Sequence, residues 1–585
     1  MDTRQTVLTT LAALLALAGA RAQVTDRVSV ALGGGEANNE SLAGSMTPDG
    51  RFVVFVSYAD NLVPNDTNFA SDVFVRDRML GTTVRVSVDS NGNQGHGYSY
   101  LDRVRWRTIS DDGRYVTFWS DAPDLVANDT NSVADVFVRD LLLGQTQRVS
   151  VMSGGGQAQP SSSRNASISA DGRYVAFSSA SVDLVPNDLN SHRDVFVHDR
   201  VTQQTIRASV ATGGGDNFDQ SDGVISGNGL FVAFWTRGWT LVPGDNNNLS
   251  DVFVRDLQAG TTERVSLGLG GVDTDGESID GAISDDGRYV AFASAATNIV
   301  VGDTNGADDV FVHDRSTGLT TRVSVRSDGA QVFGPSVLSS LAPDGSHVSF
   351  LSWATNLVPR DTNGAWDFFV HAMASGLTWR ANLNSCGHES AWDINGNAIA
   401  SGVTSSGAQV LFASVSPNLA PGDTNVRIDV FVRDSTVPAP AVCAHCSAGT
   451  SSIGCRAHIS AVGTPSASSP SGFVLGLSGV DGQRMATVFY GITGATWVPW
   501  TAGTTSVRCV RAPFQRTHAQ SSAGTAGQCD GSIALDWLAY LAAQPGALGA
   551  PAQPGLVVNA QGWIRDPTAP GATQLSDAVQ FVVEP

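Results

Sequence analysis

Asp and Asn side chains at a fixed spacing are the residues of this chain best placed to do chemistry. The pattern Asp-x-Asn-x-x-x-Asp occurs as Asp66/Asn68/Asp72, Asp129/Asn131/Asp135, Asp188/Asn190/Asp194, Asp245/Asn247/Asp251, Asp303/Asn305/Asp309, Asp361/Asn363/Asp367 and Asp423/Asn425/Asp429. Oxygen ligands at the first and third positions of a tight loop can converge on one hard cation such as Ca²⁺. The loops lack the bidentate Glu and the fixed Gly of an EF-hand, so any affinity would be modest. The same side chains also cap their own backbone in turns. Two readings therefore stay open, a weak structural Ca²⁺ in every loop or turn chemistry alone, and no other cofactor is expected.

Other chemistries are harder to place. The sequence has no G-x-S-x-G elbow, no HExxH and no Lys, which removes a serine-hydrolase nucleophile, a zincin helix and Schiff-base catalysis. His198, His313 and His371 occupy a strand position held elsewhere by Arg76 and Arg139, so they read as exchangeable strand residues. Trp106, Trp235, Trp239, Trp353, Trp366 and Trp392 are candidates for a sugar-binding surface or for packing. No catalytic residue is assigned.

The elements that position the loops recur with them. A hairpin reading TPDGRFVVF, SDDGRYVTF, SADGRYVAF, SGNGLFVAF, SDDGRYVAF, APDGSHVSF and TSSGAQVLF precedes each loop, with its glycine at 50, 113, 172, 229, 287, 345 and 407. The first Asp of each loop lies sixteen residues after that glycine. A DVFVRD-like strand and a TxRxS strand follow. Four strand-like pieces per copy, repeated seven times, predict a seven-bladed β-propeller. The seventh copy lacks its fourth strand, while an orphan, Asp26–Val30, stands near the N-terminus. The N-terminal strand is therefore expected to complete the last blade and close the ring. That arrangement gathers the Asp loops and the inter-blade links on one face.

These S-x-D-G-R-Y-V-A-F and D-V-F-V-R-D elements resemble TolB-type propeller repeats, a WD-like family common in bacterial secreted and periplasmic proteins. The resemblance covers about residues 24 to 435. It implies the fold, and only a range of functions, from scaffolding and ligand binding to several enzymes.

The remaining sequence sets the compartment. Residues 1–22 read as a signal peptide, with an apolar run and an Ala20-Arg21-Ala22 cleavage site, so the mature chain is expected to begin near Gln23. The propeller is expected over residues 23–436, a VPAPA linker over 437–442 and a small β-rich, disulfide-containing domain over 443–585. CSAGTSSIGC, RCVRAPFQRT and GTAGQCDGS resemble a C-terminal domain appended to many secreted proteins of environmental bacteria such as planctomycetes, and this implies no activity. The expected disulfides are Cys446–Cys455 and Cys509–Cys529, leaving Cys386 and Cys443 to tie the two domains together. Residues Ser532 to Ala543 are expected to form one helix.

With a net charge of −20 the chain is a poor partner for nucleic acid, and no later stretch is long and apolar enough to span a membrane. These features point to a secreted, monomeric, non-catalytic binding or scaffolding propeller for a protein or glycan ligand. The alternatives are a propeller-based hydrolase or lyase acting on extracellular polysaccharide or peptide, and a surface module sorted by its C-terminal domain.

Overall fold

The computed structural model describes residues 24–101, 107–159, 161–359, 361–385, 387–390, 402–420, 423–435, 442–445, 451–493, 495–499, 507–567 and 572–584. The expected signal peptide, most of the linker, Trp106, Trp392, Cys386 and Cys446 lie outside these residues.

Valine, isoleucine and aromatic side chains favour extended backbone because they pack on a pleated surface. Each copy turns such runs into a four-stranded antiparallel sheet, and seven of these sheets follow one another along the described propeller residues. Blade 4 is representative, with strands Asp222–Ile225, Phe231–Thr236, Asp251–Asp256 and Thr261–Arg264 in that spatial order. The first hairpin needs glycine. Gly172 has φ +73°, and a Cβ there would overlap the Tyr115 ring of the preceding blade.

The ring closes as expected. Val24–Arg27 pairs antiparallel with Asp429–Asp434, with Arg27 opposite Phe431, and the Val28 amide continues the ladder to Val430 O at 2.7 Å. The last blade is thus built from both ends of the propeller sequence. This pairing covers the edge that Asp429–Asp434 would otherwise expose.

The core lies between blades. Each blade stacks a Phe of its second strand on a Phe of its third, from Phe55–Phe74 to Phe412–Phe431, with centroids 5.5–5.8 Å apart. These rings pack on the Val and Ala side chains of the neighbouring blade: Phe234 and Phe253 lie against Val195 and Val197. A Thr hydroxyl stitches successive blades, as where Thr262 Oγ1 donates to Val210 O at 2.5 Å and Thr205 Oγ1 to Val151 O at 2.6 Å. The ring therefore needs no central packing, and its axis stays open for side chains of the first strands.

The C-terminal region forms sheets of its own around a core that includes Trp537, Tyr490, Phe473 and Phe581. Two expectations are corrected here. Cys455 is bonded to Cys529, across 74 residues, so neither Cys446–Cys455 nor Cys509–Cys529 forms; Cys509 is itself disulfide-bonded. Spacing misled because sheet pairing, not sequence distance, brings thiols together. The helix is also shorter. Gly531–Asp536 is a strand with alternating burial, and only Trp537–Ala543 is helical. Asp536 caps that helix by accepting from the Ala539 amide at 3.0 Å.

Candidate functional site

The loop residues expected to ligate Ca²⁺ have protein partners in all seven blades. The Asn oxygen, an atom a cation would need, accepts from the amide two residues on, which is an Asx turn. The distance is 3.1 Å in Asn68, Asn305 and Asn363, 3.3 Å in Asn131, 2.9 Å in Asn190, 3.0 Å in Asn247 and 2.8 Å in Asn425. The Asn nitrogen donates to the last Asp of its loop. Asn68 reaches Asp72 and Asn131 reaches Asp135 at 3.1 Å, and Asn190 reaches Asp194 at 2.9 Å. Asn247 reaches Asp251 at 3.4 Å, Asn305 reaches Asp309 and Asn363 reaches Asp367 at 3.2 Å, and Asn425 reaches Asp429 at 3.3 Å. That Asp also accepts from the fourth strand. Asp135 takes the Ser150 hydroxyl and Asp194 the Ser209 hydroxyl, both at 2.5 Å, and in blade 6 the Asn382 amide takes the hydroxyl's place on Asp367.

The remaining acceptor capacity faces an arginine that sequence reasoning missed. The TxRxS arginine sends its guanidinium between the two Asp of its loop. Arg264 lies 3.2 Å from Asp245 and 3.1 Å from Asp251, and Arg322 lies 3.1 and 3.2 Å from Asp303 and Asp309. Arg85 does the same for Asp66 and Asp72, Arg148 for Asp129 and Asp135, Arg207 for Asp188 and Asp194, and Arg380 for Asp361 and Asp367. In blade 7 the arginine is Arg27, supplied by the closing strand, 3.6 Å from Asp429. The signal was present in the repeat itself, since one arginine recurs in register with each Asp pair.

In six blades a cation would find a guanidinium already between the two carboxylates, and in blade 7 it would find one beside Asp429. It would also find the oxygens of Asn68, Asn131, Asn190, Asn247, Asn305, Asn363 and Asn425 already bonded to backbone. Among the described residues, no group of three or more His, Cys, Asp or Glu is placed to hold a metal ion. The Asp-x-Asn-x-x-x-Asp residues are brought together, loop by loop, around arginine.

Burial raises several of these carboxylates. Desolvation lifts Asp66, Asp194, Asp245 and Asp361 to about 6 and Asp423 to about 8. A carboxylate whose pKa is higher folded than unfolded gives stability that is full below its unfolded value near 4 and lost as pH rises through the folded value. The Asp423 contribution therefore fades between about pH 4 and 8. Asp423→Asn should flatten the stability profile across that window, and a denaturation series at fixed steps of pH reads it directly. An unchanged slope in the variant would contradict the assignment.

The last Asp of DVFVRD has a different task. Arg51, Arg114, Arg173 and Arg288 of the hairpin reach Asp77, Asp140, Asp199 and Asp314, each at 2.7 Å. These pairs hold Asp77, Asp140, Asp199 and Asp314 below the usual carboxylate range. His198, His313 and His371 each meet a Thr hydroxyl at 2.9 Å, as Arg139 meets Thr146, so they are indeed exchangeable. Burial pushes His198 and His371 down to about 4, which keeps them neutral.

Among the described residues two features in and around the channel depart from the repeat. The first lies in the channel, whose lining is mostly small or apolar, including Met46, Val224, Ile283, Leu341 and Val403. Arg107 enters it from blade 2 at a position held elsewhere by Gly44, Ala166, Gly223 and Gly281. It bonds Asp111 at 2.6 Å and reaches across to Asp285 of blade 5. Burial raises the Asp111 carboxyl, partly offset by Arg107.

The second feature lies at the channel mouth, on the face bearing the Asp loops. Among the described residues one cross-strand pair near the start of the first strand can be compared in six blades, and it is aliphatic or small in three: Leu42/Val56, Ile279/Ala293 and Val337/Leu351. In the adjacent blades 2, 3 and 4 it is Tyr100/Trp119, Arg164/Ser178 and Asp222/Trp235. These residues connect. Tyr58 and Tyr100 share a hydroxyl contact of 3.0 Å, Tyr100 packs on Trp119 at 4.8 Å, and the Arg164 guanidinium lies 4.7 Å over Trp119. Further round, Asn165 donates to Asp222 at 2.5 Å, and Arg193 pairs with Asp222 at 2.8 Å.

No protein-family model matches the chain, and no curated protein does. Solved structures do match. TolB from Acinetobacter baumannii is similar at 13% identity and TM-score 0.32, over 59% of this chain and 64% of that one. TolB from Agrobacterium tumefaciens is similar at 14% identity and TM-score 0.31, over 51% and 83%. The β-propeller domain of the Trilobed protease from Pyrococcus furiosus is similar at 11% identity and TM-score 0.40, over 68% and 93%. The fold is a β-propeller, with TolB among its structural neighbours. It is the sheet order and ring closure that establish this, and likeness at these TM-scores carries no argument of its own.

Proposed function

We propose that the chain is an exported, non-catalytic propeller that binds a protein or glycan ligand at the mouth on its loop-bearing face. One observation carries this reading. A single register position that is aliphatic or small in blades 1, 5 and 6 carries Tyr, Trp, Arg and Asp in the adjacent blades 2, 3 and 4. Positions that serve the fold keep one chemistry from blade to blade, as His198 does for Arg139 and Asn382 for Ser209, so a local cluster that changes the chemistry serves something else. The Cys455–Cys529 disulfide supports an oxidising compartment. No helix among the described residues is long and apolar enough to cross a membrane.

The Asp loops fit this reading as fold chemistry, with arginine as the resident cation. The hydrolase alternative is favoured by the Arg107, Asp111 and Asp285 set in the channel, and it requires a turnover that Asp285→Asn abolishes. Against it, both carboxylates face the arginine, which leaves no poised acid–base pair.

The test replaces Tyr100, Trp119, Arg164, Asp222 and Trp235 with the aliphatic residues of blades 5 and 6. Because those pairs already fit the same sheet positions, the variant should fold and melt within a few degrees of the parent. Its retention on washed extracellular matrix and envelope material should fall at least tenfold. Equal retention by variant and parent would remove this face as the binding surface.

A further inference from the structure

The geometry points to a carbohydrate subsite in the groove that blades 3, 4 and 5 form at the channel mouth. This rests on the binding reading above and narrows it from protein or glycan to glycan. The groove holds about 1470 Å³ including its open side. Arg164, Asn165, Arg193, Asp222, Trp235 and Asp280 line it.

Three features of the groove select a sugar. Its side chains mix donors and acceptors at close range: guanidinium groups from Arg164 and Arg193, an amide from Asn165, and carboxylates from Asp222 and Asp280. A sugar hydroxyl is both donor and acceptor, so a mixed set can bond several around one ring. A protein partner would seat its anchors in well-packed, fully desolvated pockets, whereas this groove is open and lined mostly by polar side chains. Trp235 adds an aromatic wall beside Asp222, and the Tyr100–Trp119–Arg164 stack extends the surface along the mouth into blade 2. Aromatic faces suit the C–H side of a sugar ring while the hydroxyls turn to the polar groups.

The backbone supplies a separate observation. Asn165 and Asp280 carry φ of +57° and +65°, a left-handed conformation that costs least in glycine and, after it, in Asn and Asp. Both sit at breaks in the register of a first strand, between Arg164 and Ser167 and between Ile279 and Ala282. Glycine would relieve the strain at either position. The chain instead keeps polar side chains there, on two walls of one groove. Bulges re-aim side chains, and these aim theirs at the groove.

The same backbone geometry suits the test. Asn165→Gly and Asp280→Gly remove the side chains at positions whose backbone glycine readily adopts, at the cost of the Asn165–Asp222 bond. The full mature chain would be run through native gels containing laminarin, xylan, alginate or polygalacturonate, with dissociation constants then measured by calorimetry for any that retard it. The expected result is retardation by at least one polysaccharide. Its dissociation constant should rise at least tenfold in the double glycine variant, with the melting temperature within a few degrees of the parent. A matched control, Ile279→Val, should bind like the parent. Binding that is equal in parent and glycine variant would overturn the subsite, as would no retardation by any of the four. In that event, a displayed-peptide selection enriched by the parent but not by the variant would keep the binding reading and sink only the sugar. No enrichment there would sink both.

Discussion

A chain lacking residues 24–30 is expected to lose its folded propeller. Those residues supply the fourth strand of blade 7, and their removal has three costs. The ladder from Val24–Asp434 to Arg27–Phe431 disappears, exposing the edge of Asp429–Asp434 to pairing with other chains. The buried Val28 side chain is lost, which costs about 2 kcal/mol by transfer alone. Asp429, fully buried, keeps the Asn425 amide but loses Arg27 and the Ser29 hydroxyl together, and a buried charge without its cation costs about 3–5 kcal/mol. The sum is comparable with the whole stability of an ordinary domain. Size-exclusion chromatography should show aggregate or multimer, and the melt should lose cooperativity or fall by more than about 10 °C, on the order expected for several kcal/mol. A monomer that melts like the parent would mean that the ring does not depend on its closure.

Arg264→Ala is expected to be the most damaging single substitution in the Asp loops. Its guanidinium is 6% exposed and faces Asp245, Asp251 and Asp273, the last at 2.6 Å. Truncation leaves three carboxylates facing each other with no cation, at a cost of about 3–5 kcal/mol. Asp245, already raised to about 6 by burial and by Asp251, would rise further, so the loss should shrink as pH falls toward about 5. The double variant with Asp245→Asn should lose less than the single one, because it removes part of the repulsion. Calcium gives the sharpest contrast. Millimolar Ca²⁺ or a chelator should leave the parent melt unchanged, since arginine already neutralises the loop. The same Ca²⁺ should raise the melt of Arg264→Ala, where the vacated space is lined by carboxylate oxygens. A calcium-dependent shift in the parent would return the loops to the metal reading.

Much of this architecture was legible in one dimension. Seven hairpin glycines, their Asp loops and a missing strand matched by an orphan, Asp26–Val30, specify blades and closure, because a repeat must present the same local chemistry at each step. The exchange of His198 for Arg139 could also be read there, since each copy acts as a control for the others. The partner of each Asp pair could have been read and was not. Arg85 lies thirteen residues after Asp72, and only the hairpin between the third and fourth strands shows that they are opposite. The oxygens of Asn131 and Asn247 look like ligands in the sequence for the same reason. A loop motif names its acceptors without saying which amide they already hold.

Tertiary structure alone decided the rest. Arg107 and Asp285 are 178 residues apart and meet because blades 2 and 5 face one another across the channel. Cys455 finds Cys529 because a sheet of the C-terminal region brings distant strands together. The groove at the mouth owes its shape to two bulges, and a bulge changes where a side chain points without changing the residue types around it. Local propensity and repetition act over a few residues and are written into the chain. Convergence of distant side chains depends on how blades are arranged about an axis, and no spacing along the sequence encodes that distance.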